Sequence, residues 1–196
     1  MKTIFKRLSV LFMFVLFFSC TPNPEDVPCV PITCLNGGTS TPDCGCNCPT
    51  GFTGTNCSTQ ITPLQVKITK IRVTKFPDEK PGGGWWDVLP NSDADIYLTI
   101  ENLAVTKIWE SPTYFQNATG IGNLNYEFIP TTPIILSSPT SGYFMNIYDL
   151  DTVGSNELIS FHLFNPYSSN GGFPTTKTFT NSAGTFSFEL TLSYVW

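Results

Sequence analysis

Six of the seven cysteines in this chain fall between positions 29 and 57, and none follows. They are Cys29, Cys34, Cys44, Cys46, Cys48 and Cys57. The segment that holds them has almost no large apolar side chains, so burial cannot stabilise it. Disulfides have to supply what a hydrophobic core of that size cannot, as they do in small secreted modules. An even set of six permits many pairings, and spacing alone does not choose among them. Zinc is the competing use for Cys46-Asn47-Cys48, but a secreted chain with no histidine in this segment argues against it.

The seventh cysteine, Cys20, stands at the end of a different pattern. Lys2, Lys6 and Arg7 precede an almost wholly apolar run from Leu8 to Phe18, the layout of a secretory signal. The run is too short to cross a bilayer, which takes about 18–20 apolar residues. Phe17-Phe18-Ser19-Cys20 resembles the lipobox of bacterial lipoproteins, and the resemblance implies cleavage before Cys20 and acylation of its side chain. Glu25 and Asp26 follow closely and resemble the acidic export signal of surface lipoproteins in Bacteroidota. The expected location is extracytoplasmic: lipid-anchored to a bacterial envelope, at the outer membrane or cell surface.

Within the cysteine-rich segment, Cys34-Leu35-Asn36-Gly37-Gly38-Thr39 and the run from Cys46 to Cys57 resemble an EGF-like module. The ending Cys46-x-Cys48-x2-Gly51-x2-Gly54-x2-Cys57 carries most of the likeness, with the two glycines placed as turn residues. The resemblance implies the pairs Cys29–Cys44, Cys34–Cys46 and Cys48–Cys57. Only Gly45 separates the third and fourth cysteines, which leaves no room for the hydroxylation motif of calcium-binding EGF modules. The segment therefore reads as a calcium-free spacer or adhesion unit.

After a polar stretch at 58–63, the texture changes. Residues 64–196 carry short β-prone runs separated by Gly, Pro, Asn and Ser. Strands are expected at 65–76, 95–101, 106–109, 125–129, 133–137, 142–148, 157–164, 175–179 and 185–196. Phe186-Ser187-Phe188-Glu189-Leu190-Thr191-Leu192 shows the two-residue period of a half-buried strand, and no window sustains a helical period. The expected fold class is mainly β: a small disulfide-rich EGF-like module and an antiparallel, eight-stranded β-sandwich. The implied organisation is a signal peptide at 1–19, a tether at 20–28, the EGF-like module at 29–57, a linker at 58–63 and the sandwich at 64–196.

The chain has 15 acidic and 10 basic side chains, a net charge of −5, so it lacks the basic surplus that nucleic-acid binding requires. Two loops hold much of the acid. Asp87, Asp93 and Asp95 lie between the first two expected strands, and Asp149, Asp151 and Glu157 follow the strand at 142–148. Clustered carboxylates repel one another unless a cation sits among them. Flexible loops bearing hard oxygen ligands suit Ca²⁺, and the EF-hand pattern is absent.

Ser92-Asp93-Ala94-Asp95-Ile96-Tyr97-Leu98 resembles the first calcium loop of C2 domains, with Asp87 six residues ahead of Asp93. Ile147-Tyr148-Asp149-Leu150-Asp151 and the residues to Ser160 resemble the third loop, with Glu157 where that family more often has Asp. The resemblance implies a C2-like sandwich that binds calcium through Asp87, Asp93, Asp149, Asp151 and Glu157. Trp85 and Trp86, after the Gly82-Gly83-Gly84 run, are candidate ligand contacts together with Asp95; equally, Trp86 packs beneath the loop and Trp85 alone is exposed. Lys67, Lys70, Arg72 and Lys75 form a basic stripe that suits an anionic lipid or glycan, or is simply a solvated face.

His162 is the chain's one histidine, and no nucleophile elbow accompanies it, so the expectation is that the chain is not an enzyme. The function these readings imply is a lipid-anchored, calcium-dependent binding or adhesion protein. Its partners would be the membrane, through Cys20, and an anionic lipid, glycan or protein ligand. The alternatives are an inert spacer lipoprotein, or a hydrolase using the loop carboxylates.

Overall fold

The structure is a computed structural model that describes residues 30–87 and 93–196. The expected signal peptide, Cys20 and Cys29 lie outside the described residues. Every element among the described residues is a strand. Four two-residue strands come first: β1 (Thr39–Ser40), β2 (Cys46–Asn47), β3 (Phe52–Thr53) and β4 (Thr59–Gln60). They pair as two small antiparallel ribbons, β1 with β2 and β3 with β4. Disulfides Cys34–Cys46 and Cys48–Cys57 hold these ribbons together. Cys44 is also disulfide-bonded, and its expected partner is the undescribed Cys29. Asn36, with φ 51°, turns its side-chain amide to donate to the Cys57 carbonyl at 2.8 Å.

Ten longer strands follow: β5 (Gln65–Lys75), β6 (Ala94–Asn102), β7 (Lys107–Glu110), β8 (Phe115–Ala118), β9 (Tyr126–Phe128), β10 (Ile134–Leu136), β11 (Tyr143–Asp149), β12 (Glu157–Phe164), β13 (Thr176–Thr180) and β14 (Ser187–Val195). They form two five-stranded sheets, so the sandwich has ten strands rather than the expected eight. One sheet runs β10-β5-β14-β13 with β9 also on β5; the other runs β12-β11-β6-β7 with β8 also on β6. All pairings in both are antiparallel.

The core lies between the sheets and is built from alternate residues. β14 buries Phe188, Leu190 and Leu192, and β6 buries Ile96, Leu98 and Ile100. β5 buries Val66, Ile68, Ile71 and Val73. The spacing from Ile68 to Ile71 breaks the two-residue period, and the β5–β14 register shifts at the same place, opposite Thr191 and Leu192. A bulge there absorbs the extra residue and returns Ile71 to the core face. The basic stripe on β5 is partly neutralised: Lys70 pairs with Glu127 at 2.8 Å and Arg72 with Glu189 at 3.1 Å. His162 points to the inner side, beside the rings of Phe179 and Phe188, where burial lowers its pKa.

The stretch at 58–63 does more than connect. β4 lies within it, and the Gln60 amide donates to the Ser168 carbonyl at 2.8 Å and accepts the Gly172 N–H at 2.9 Å. Phe173 then meets Phe52 edge-on at 5.2 Å and Trp196 at 4.5 Å. Gly51, with φ 93°, admits this contact, because a Cβ there would run into the Phe173 ring. The cysteine-rich module is thereby packed against the sandwich.

Candidate metal centre

β11 ends on Asp149, and β12 begins on Glu157 directly opposite it. The loop between them turns back through Gly154, whose φ of 115° suits glycine alone. Asn156 shapes this loop from inside: its side-chain oxygen accepts the Asp151 N–H at 3.1 Å, and its amide donates to the Tyr97 hydroxyl at 2.9 Å. A register shift at Ile147 and Tyr148 lies just ahead of the site. Bulges of this kind re-aim the side chains that follow them.

The second contributor is the loop after β5. Its tip closes through the Lys80 N–H to Gly84 carbonyl bond at 3.0 Å and the Gly83 N–H to Lys80 carbonyl bond at 2.9 Å. Trp86 anchors it, only 4% exposed, with its indole N–H donating to the Pro77 carbonyl at 3.0 Å. Asp87 follows immediately and is carried to the end of β11.

Asp87, Asp149 and Asp151 each bring a carboxylate oxygen within 4.8 Å of the other two. Asp149 is fully buried. Its Oδ1 accepts the Asp95 N–H at 2.7 Å, and its Oδ2 has no hydrogen-bond partner. Burial is the largest cause pushing its pKa up to about 6, partly opposed by the Asp95 N–H bond and reinforced by the charges of Asp87, Asp151 and Asp95. The three carboxylates thus form a like-charged set, buried at Asp149 and half-buried at Asp87 and Asp151, around an unsatisfied oxygen. A buried polar atom without a partner is costly, and an added cation removes the cost and the repulsion together. Three hard oxygen donors, one at a strand end and two in loops, fit Ca²⁺ well.

The other residues singled out in the sequence are placed differently. Asp93 and Glu157 are not part of the three-carboxylate group. Asp93 lies close enough to Tyr126 for its charge to help raise that phenol's pKa, after burial as the main cause. Glu157 is ion-paired with Lys80 at 2.5 Å. Asp95 is a structural residue: its carboxylate accepts the Asn117 N–H at 2.8 Å and its carbonyl accepts the Leu150 N–H at 2.8 Å. Of the two readings of Trp86, the structure shows the packed one: it lies beneath the loop as part of the core and is not a surface contact. Trp85 remains 40% exposed. Lys80 went unnoticed in the sequence; its charge seven residues before Asp87 gives no hint of a cross-loop partner.

No protein-family model matches the chain. Over 65 residues it is 43% identical to vasorin of Xenopus tropicalis, a match covering 26% of this chain and 10% of that protein. Human GIVD cytosolic phospholipase A2, in complex with methyl gamma-linolenyl fluorophosphonate and terbium chloride, is similar over 68% of this chain and 18% of that one. Its TM-score is 0.45 at 19% identity. A C2 domain of plant extended synaptotagmin 1 is similar over 69% of this chain and 99% of that chain, with a TM-score of 0.39 at 16% identity. The chain therefore spans a tenth of the curated relative and under a fifth of the phospholipase. One similar structure belongs to an enzyme, so the flat expectation of a non-enzyme is withdrawn. The match covers a small part of that enzyme and gives no evidence of catalysis in this chain.

Proposed function

We propose that this chain is an extracytoplasmic, calcium-dependent binding protein, tethered to a bacterial envelope through an acylated Cys20. Its sandwich takes up Ca²⁺ between Asp87, Asp149 and Asp151 and meets a ligand at that end of the molecule. The observation that carries the reading is the fully buried Asp149 carboxylate, whose Oδ2 has no hydrogen-bond partner beside two further carboxylates. Bound Ca²⁺ would give that oxygen a partner and take the remainder of its six to eight oxygen ligands from water, backbone or an incoming ligand. An anionic ligand, such as a phospholipid headgroup, would add oxygens to the ion and offset its charge. Trp85, exposed on the adjoining loop, is positioned to reach an interface beside that ion.

Two assays on the mature chain test the reading. Sedimentation with phosphatidylserine-containing vesicles should depend on Ca²⁺ and stop in EDTA, and Asp149→Asn should abolish it. Sedimentation that persists in EDTA would contradict it. Labelling with a radioactive fatty acid in a bacterial expression host should mark the chain, and Cys20→Ser should remove the label.

A further inference from the structure

Glu157 and Asp149 are cross-strand partners at the open ends of β12 and β11, so both carboxylates issue from the same face of the sheet. Glu157 nevertheless stays outside the three-carboxylate group because Lys80 occupies it, with Nζ at 2.5 Å from its carboxylate. The contact joins the charges without a directed hydrogen bond at Glu157 Oε2, which has no hydrogen-bond partner and is itself screened from solvent. Lys80 reaches this position from the loop that also carries Asp87. Its Nζ lies 5.9 Å from the Trp86 ring centroid, and the bonded tip from Lys80 to Gly84 holds its backbone. The charges that help raise the Asp149 pKa come from Asp87, Asp151 and Asp95, and the Lys80 ammonium is paired with Glu157.

We propose that Lys80 is a built-in cation at the rim of the metal centre. By neutralising Glu157 it limits the centre to a single divalent ion and straps the two site loops together. The inference rests on the calcium reading above and adds to it the stoichiometry and the residue that sets it. Without Lys80, Glu157 would return a fourth carboxylate beside Asp149. Four acids at one sheet end hold either a second divalent ion or the first one more tightly. With Lys80 present and Glu157 removed, an uncompensated positive charge would sit beside the ion and weaken it.

Equilibrium dialysis with radioactive Ca²⁺ alone tests this on the mature chain, its Lys80→Met, Glu157→Gln and doubly substituted variants. The unaltered chain should take up one ion. Lys80→Met should take up a second, or bind the first about fivefold more tightly, roughly what one nearby unit charge is worth under surface screening. Glu157→Gln should bind about fivefold more weakly, and the double variant should return close to the unaltered chain. That return separates a compensating pair from a ligand. If Glu157 coordinates the ion itself, Glu157→Gln loses binding and Lys80→Met does not restore it, which overturns the proposal. Binding by Lys80→Met alone would support Lys80 as the resident cation while overturning the calcium reading of the natural chain. Three variants that bind like the unaltered chain, or no binding by any of the four chains, would overturn the proposal. Circular dichroism of each variant would confirm a retained β-sheet fold.

Discussion

Asp149 is the residue on which the molecule's response to pH turns. Its folded pKa of about 6 lies above the ordinary carboxylate value of 3.8, so the folded chain holds this proton more firmly than the unfolded one. The stability gained from the protonated form is complete below about pH 4 and is lost as the pH rises through about 6, because the buried anion then stands unpaired. Without metal, this loss amounts to about 3 kcal/mol. Thermal melting in EDTA should therefore show a fall between pH 4 and 6 that Asp149→Asn flattens. In Ca²⁺ the charged form gains a partner, and stability at pH 7 should rise by about 3 kcal/mol when free metal reaches a hundred times its dissociation constant. Three of the five acids expected at the site, Asp87, Asp149 and Asp151, do converge, because spacing along two loops reports which acids share an end of the fold. Spacing did not reveal that Glu157 meets Lys80 first, since that pairing depends on how the first loop folds over Trp86.

At the scale of elements, alternation made most of the sandwich legible. All nine expected runs of 64–196 lie on observed strands, their ends shifted by a few residues at most. The missed strand is β8, Phe115-Gln116-Asn117-Ala118, where polar side chains and an Asn117 φ of 48° hide the pairing with β6. It pairs with β6, and Asp95 also accepts the Asn117 N–H, contacts some twenty residues apart that local pattern cannot announce. The polar stretch at 58–63 was misleading for the same reason, since β4 and Gln60 dock onto residues more than a hundred positions away. The ring of Phe173 holds this junction between Phe52, Tyr194 and Trp196. Phe173→Ala should lower stability by about 3 kcal/mol, read in urea unfolding, and speed amide exchange at Gln60 and Gly172. Unchanged exchange there would mean that the hydrogen bonds alone secure the junction. Gly51→Val, which drives a side chain into the same ring, should speed exchange at the same amides.

The whole molecule combines two ways of making a stable domain. The cysteine-rich module is held by covalent links, and the cysteine-free sandwich by aliphatic and aromatic burial between two sheets. That division was plain from the cysteine positions and the change of texture at residue 64. The packing of one part onto the other was not. A module fixed in this way keeps one orientation on the sandwich, whereas a loose linker would let it swing. The claim that unites the parts is that the sandwich loops form a calcium site, and calorimetric titration of the mature chain with Ca²⁺ tests it most directly. Saturable heat is expected, with a dissociation constant in the ~10⁻⁴–10⁻³ M range of extracellular modules, and it should vanish in Asp149→Asn combined with Asp151→Asn. No heat from the unaltered chain, or the same heat from both chains, would contradict the account.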